Sequence, residues 1–100
     1  MVTAVKEKVR ATPATFSLSQ NFPNPFNPST VIGYQLPANS LVTLKVYDVL
    51  GREVRTLVNE REGAGDHSIT FNAADLPSGV YFYRLTAGSF VETKRLVVIK

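Results

Sequence analysis

One hundred residues with a formal net charge of +3 and 44% hydrophobic content provide enough apolar surface for one small domain and not for two. Cysteine is absent, which excludes a disulfide framework, a thiolate metal site and a cysteine nucleophile. No apolar run reaches the roughly 18 residues of a membrane-spanning helix. No charged-then-apolar leader opens the chain. Lys and Arg are scattered, with no basic helical stripe or basic β-platform motif, so nucleic acid is not an expected partner.

Residues 1–15 mix charge with Ala, Thr and Pro and contain few large apolar side chains, which reads as a linker. A starting Met without an export leader points to a domain excised from a longer product. The folded part is expected over 16–100. Its first segment, Phe16–Gln20, leads into Asn21-Phe22-Pro23-Asn24-Pro25-Phe26-Asn27-Pro28. Each proline fixes its own φ, biases the residue before it toward extended geometry and removes a ladder donor. The stretch is therefore expected to be a stiff, ordered, extended tether with Phe22 and Phe26 pinned against apolar surface.

From there the chain alternates short runs rich in Val, Ile, Leu, Tyr, Phe and Thr with turn chemistry, and no useful length shows a helical period. Strands are predicted over Thr30–Leu36, Leu41–Tyr47, Glu53–Val58, His67–Asn72, Val80–Ala87 and Phe90–Ile99. Breaks fall at Pro37–Ser40, Asp48–Gly51, Gly63–Asp66, Pro77–Gly79 and Gly88-Ser89. Alternation assigns Ile32, Tyr34, Val42, Leu44, Val46, Ile69, Phe71, Tyr81, Tyr83 and Leu85 to the core. Val54 and Leu57 are three apart, which requires a bulge near Arg55-Thr56. About seven short strands, each with one wet face, define an all-β, immunoglobulin-like antiparallel β-sandwich.

Chemistry-bearing residues are few. His67 is the single histidine. It sits at a strand end beside a Gly-rich turn, where its ring is expected to pack on the rim and bond a loop carbonyl. A catalytic triad needs a nucleophile in a strained turn and an orienting carboxylate, and no segment has that form. Asp48, Asp66, Asp75 and Asn72 could offer oxygens to Ca²⁺, but no acidic cluster gathers them. Asp48 and Asp75 are read as turn caps, the first ahead of a left-handed Gly51. Gly63-Ala64-Gly65 precedes a strand rather than the helix N-terminus that a phosphate loop needs. Tyr81, Phe82 and Tyr83 could stack on sugars, yet the inward parity of Tyr81 and Tyr83 makes them core and leaves Phe82 outside. No catalytic residue, metal site or cofactor is assigned.

The ordered set Leu18-x-Gln20-Asn21-Phe22-Pro23-Asn24-Pro25-Phe26-Asn27-Pro28-Ser29-Thr30, Ile32-x-Tyr34-x-Leu36-Pro37, Val46-Tyr47-Asp48-x-x-Gly51-Arg52-x-Val54, Ala64-Gly65-x-His67, Ser78-Gly79-Val80-Tyr81-Phe82-Tyr83 and Lys94 to Lys100 resembles the type A C-terminal sorting domain of the type IX secretion system. It is also similar to the immunoglobulin-like domain of flagellar hook-capping proteins. The resemblance covers about Phe16 to Lys100. It implies a non-catalytic signal that directs a fused cargo across the outer membrane, first through the periplasm and then to the cell surface or medium. The implied partners are an outer-membrane translocon and a sortase-like peptidase, with the cargo domain missing from this chain. Family elements map to Pro23-Asn24-Pro25, to Gly79 and Tyr81, and to Lys94 through Lys100.

Parity in the last two strands adds a second set. With Tyr81, Tyr83, Leu96 and Val98 inward, the side chains of Val80, Phe82, Val97 and Ile99 form an outward patch bordered by Arg84, Arg95 and Lys94. The alternative function is a structural or adhesive module that anchors an enzyme to the cell surface or to polysaccharide. The fold does not choose between them; a signal ending in Lys100 favours sorting, and a row of exposed aromatics would favour sugar.

Overall fold

The computed structural model describes residues 13–100. It contains β1 (Ser17–Leu18), β2 (Ser29–Leu36), β3 (Ser40–Tyr47), β4 (Glu53–Glu62), β5 (Gly65–Asn72), β6 (Gly79–Ala87) and β7 (Phe90–Val98). The linker reading of 1–15 falls largely on 1–12, outside the described residues. All strand pairs are antiparallel, in a three-stranded sheet of order β1-β2-β5 and a four-stranded sheet of order β4-β3-β6-β7. In the constant-type immunoglobulin order the fourth strand joins the sheet of the first two. Here β4 instead pairs with β3, so the chain changes sheets after β4.

The core lies between the sheets and follows period-two alternation. Ile32, Leu36, Val42, Leu44, Val46, Tyr83, Leu85 and Leu96 are fully buried, with Tyr34, Phe71 and Tyr81 nearly so. Ile69 departs from expectation: it is only partly buried, packed against the core margin on edge strand β5.

Boundaries shift where turn chemistry was over-read. β4 continues to Glu62 and β5 begins at Gly65, so Gly63-Ala64 alone carries the crossover between sheets. The Asn39 Oδ1 accepts from the Ala64 N–H at 3.0 Å and ties this crossover to the β2–β3 connection. The single expected bulge is two. Lys45 pairs with Thr56 after Leu44 pairs with Val58, and Tyr47 pairs with Glu53 after Val46 pairs with Arg55. The skipped residues are Leu57 and Val54, and both turn onto the core. Each bulge thus lets one apolar residue, Val54 or Leu57, point inward from an edge strand although their spacing breaks strict alternation.

The turn at Asp48 forms as read. Its Oδ1 accepts from the Leu50 and Arg52 N–H groups at 2.9 and 3.0 Å, and Gly51 sits at φ +83°. The Arg52 N–H, opposed in part by desolvation, keeps the Asp48 carboxyl below its ordinary pKa. Asp75 does not cap its turn. Asn72 does that, accepting from the Ala74 N–H at 2.8 Å, while Asp75 pairs with Arg55. His67 stacks on Tyr34 with centroids 5.3 Å apart, and its Nε2 lies 2.7 Å from the Gly63 carbonyl.

Candidate recognition surface

The proline-rich stretch is ordered but not an extended tether. Its three X-Pro bonds are cis, and bends occupy 23–25 and 27–28. The loop is closed at its base, where Phe22 and Val31 exchange both backbone bonds at 3.0 Å. Phe26 is buried at 3% exposure and lies 6.0 Å from the Phe71 ring. Phe22 is not pinned: its backbone pairing with Val31 leaves the ring 79% exposed.

A buried polar knot fixes the loop. The Asn21 Nδ2 donates to the Pro23 carbonyl at 3.2 Å and to the Thr30 Oγ1 at 3.0 Å, and its Oδ1 accepts from the Gln20 Nε2 at 2.6 Å. The Thr30 hydroxyl donates to the same Pro23 carbonyl at 2.8 Å. The Tyr83 hydroxyl accepts from the Asn21 N–H at 2.8 Å and donates to the Ser19 carbonyl at 2.7 Å. Buried polar groups persist when each finds a partner, and these do. Burial of the phenol pushes the Tyr83 pKa up to about 12, with the Glu92 charge adding and the Asn21 N–H opposing. Sequence reading did not single out Asn21 or Thr30. A polar pair flanking a proline run was the available signal, but it looks the same as ordinary turn composition.

The loop also seals the edge of β7. The Asn24 Oδ1 accepts from the Val97 N–H at 3.0 Å. Phe26 donates its N–H to the Val97 carbonyl at 3.1 Å, and its own carbonyl accepts from Ile99 at 2.9 Å. The Gln20 Nε2 reaches the Arg95 carbonyl at 2.7 Å, and Phe16 stacks on Phe90 at 5.3 Å. The segment from Phe16 to Phe26 therefore runs beside β7 in the same direction. It satisfies edge groups that would otherwise template pairing with another chain. Over Arg95–Ile99 the last strand therefore does not present a bare edge.

The sequence-predicted residues fall into two groups. Asn24, Val97, Val80, Gly79, Tyr81 and Lys100 share one end of the sandwich. Register pairs Gly79 with Val98, Val80 with Val97 and Tyr81 with Leu96. Pro23 and Pro25 are exposed beside them. Lys100 donates its N–H to the Ser78 Oγ at 2.9 Å and its Nζ to the Ala74 carbonyl at 2.6 Å. Gly79 sits at φ +153°, and a Cβ there would meet nothing, so its glycine is conformational rather than steric. Tyr81 is buried and its hydroxyl donates to the Pro77 carbonyl at 2.8 Å. A cleft of about 450 Å³ opens beside Gly79–Tyr81, lined also by Val54, Leu76, Pro77 and the paired Asp48 and Arg52.

The outward patch is half-covered. Val80, Phe82 and Val97 are partly buried and Ile99 is 47% exposed. Arg95 lies opposite Phe82 as expected, but Lys94 lies opposite inward-facing Tyr83, so parity puts it on the other face, where it pairs with Glu92 at 3.3 Å. Lys94 does not border the patch. Tyr81 and Tyr83 are core, so these rings do not build a sugar-stacking row.

The molecule is thus a small β-sandwich module whose opening loop is clasped to its final strand. A family model described as Secretion system C-terminal sorting domain matches residues 20–100, and the chain belongs to that family. No curated protein matches the chain. Membership makes the folded part a C-terminal secretion sorting signal that works with secretion machinery and implies export toward the cell surface or extracellular space.

Proposed function

We propose that residues 16–100 act as a folded, non-catalytic address that carries a fused cargo across the outer membrane, with 1–15 as the linker to that cargo. The machinery reads the end of the sandwich where Pro23-Asn24-Pro25, Gly79-Val80-Tyr81 and the Val97–Lys100 terminus meet, together with the outward side chains of Phe82 and Ile99. Its partners are an outer-membrane translocon and a sortase-like peptidase. The peptidase cuts within Lys8–Thr15, most of which lies outside the described residues, after which the cargo is attached at the surface or released.

The observation that carries this reading is the clasp. Family elements 73 positions apart in sequence are joined by the bond from the Val97 N–H to the Asn24 Oδ1. A reader of that end therefore senses both ends of the domain at once, and only in the folded state. Gly79 supports the reading through the local backbone and Tyr81 through packing.

The test is a fusion of the full chain to a periplasmic reporter in a bacterium with this secretion system. Surface display or release supports sorting, and retention in the periplasm counts against it. The pair Val97→Thr and Ile99→Thr keeps β-branching, so the melting temperature should move little while export falls sharply. Normal export of the folded double variant would remove these side chains from the recognised surface. Mass spectrometry of the released domain places the cut, and a cut inside the strands would refute the linker assignment.

A further inference from the structure

The outer face of the four-stranded sheet carries an arrangement of charge that sorting alone does not explain. Register lays its side chains in rows. Leu41 stands opposite Arg61; Lys45, Arg84 and Thr93 form one row; Tyr47, Phe82 and Arg95 form the next; Val80 and Val97 follow. Lys45, Arg52, Arg55 and Lys94 each pair with a carboxylate, and Lys100 donates its ammonium to a carbonyl. Among the described residues, Arg61, Arg84 and Arg95 have no carboxylate partner, and all three lie on this one face. The outer face of the other sheet has no cation in its corresponding rows, which hold Val31 with Thr70, Gly33 with Ser68 and Gln35 with Asp66.

The same face holds apolar side chains that water would disfavour. Leu41 and Val91 are 56% and 58% exposed. The ring pair of Tyr47 and Phe82 is half-buried between the arginines. Arg84 lies over the Tyr47 ring, 4.9 Å from its centroid, and its Nε donates to the Thr93 Oγ1 at 3.3 Å. That guanidinium is held in place before any partner arrives, so less rotamer entropy is lost on binding. Arginine and aromatic residues around an apolar centre are the composition of protein contact surfaces.

Other anionic partners fit less well. A sugar needs an open ring face, and Arg84 covers that of Tyr47. A lipid surface is read by dense clusters of about four to eight Lys or Arg, whereas these cations are spread over three strands. The face is a sheet surface, and the cleft lies at the end of the sandwich.

We propose that this face docks a protein whose contact surface is apolar at its centre and carries carboxylates opposite Arg61, Arg84 and Arg95. The inference rests on the export reading and adds the chemistry of the partner. The unpaired arginines steer and orient that partner, and the apolar rows supply the contact area.

The test uses the full-chain fusion in the secreting bacterium, with folding of each variant checked by melting temperature. Arg84→Glu with Arg95→Glu should lower surface export by at least about tenfold, because a charge reversal places carboxylate against carboxylate. Arg84→Lys with Arg95→Lys keeps the charge but gives up the guanidinium held over Tyr47, so export should fall clearly less than in the glutamate pair, by no more than about threefold. Ser68→Glu with Thr70→Glu, on the opposite outer face, should stay within about twofold of the parent. If the folded glutamate pair is exported normally, or the lysine pair falls as far, the partner chemistry is wrong while sorting stands. If the parent fusion itself stays in the periplasm, the sorting reading fails and takes this inference with it. The purified chain should not co-sediment with phosphatidylglycerol–phosphatidylcholine vesicles or bind purified lipopolysaccharide. Binding to either that the glutamate pair abolishes would overturn a protein partner.

Discussion

Tyr83→Phe removes one oxygen from the buried knot and leaves the ring, so it tests the clasp without opening a cavity. The lost hydroxyl accepts from the Asn21 N–H and donates to the Ser19 carbonyl. Ser19 is exposed and its carbonyl can turn to water. Asn21 is 2% exposed, so its N–H is left without a partner. An orphaned buried donor costs about 1–3 kcal/mol, and each kcal/mol moves the midpoint of a domain this size by roughly 4–8 °C. Urea unfolding should show a lower midpoint at an unchanged slope, because the surface exposed on unfolding is the same. Hydrogen exchange should speed up at Val97 and Ile99, whose N–H groups the loop protects.

The same residue has an alkaline signature. The folded phenol holds its proton up to about pH 12, against an ordinary value of 10.0. Its contribution to stability is therefore complete below about pH 10 and is lost as pH rises through about 12. The Phe variant should lose stability less steeply over that window. Tyr34, whose pKa burial and Glu62 also raise, supplies the slope that remains. A Tyr83→Phe protein with parental stability at neutral pH, parental exchange at Val97 and an unchanged alkaline slope would refute the knot as the support of the clasp.

Leu44→Ala, at a fully buried position between the sheets, should cost about 2–5 kcal/mol in urea unfolding; a loss below about 1 kcal/mol would mean that the core is not packed there. Gly51→Ala forces a Cβ into φ +83° and should destabilise by about 1–2 kcal/mol, read from the thermal midpoint, with no effect if the turn relaxes. Asp48, Glu53 and Asp75 all have lowered pKa values, caused first by the Arg52 N–H, the Thr56 hydroxyl and the Arg55 guanidinium respectively. Their contribution is present above the ordinary carboxylate range and is lost as pH falls through their folded values, so an acid titration should show falling stability below about pH 4 that Asp48→Asn makes shallower. Asn24→Ala should raise exchange at Val97 while that at Leu44 stays protected; uniform acceleration would mean the loop and core unfold as one unit.

Much of the fold was legible in the sequence because a sandwich core needs only period-two alternation broken by turn residues. Ile32, Tyr34, Val42, Leu44, Val46, Phe71, Tyr81, Tyr83 and Leu85 carry that pattern and are buried. Asp48 and Gly51 made their turn visible because both act within a few residues. The sorting motif could likewise be recognised from order and spacing along the chain.

What tertiary structure decided is what depends on distance in space. Alternation does not say which sheet a strand joins, so only the folded chain set β4 beside β3. Phe22 and Phe26 look alike in sequence, yet one is exposed and the other buried, because the closed loop leaves one ring outside while the other meets Phe71. The two bulges that turn Val54 and Leu57 inward were visible only as an irregular spacing. The bond from Asn24 to Val97, the knot of Asn21, Thr30 and Tyr83, and the gathering of Arg61, Arg84 and Arg95 on one face all join residues far apart in the chain. No local propensity encodes such pairs. They form because burial of the core fixes the strand register, and register determines which polar groups must find each other.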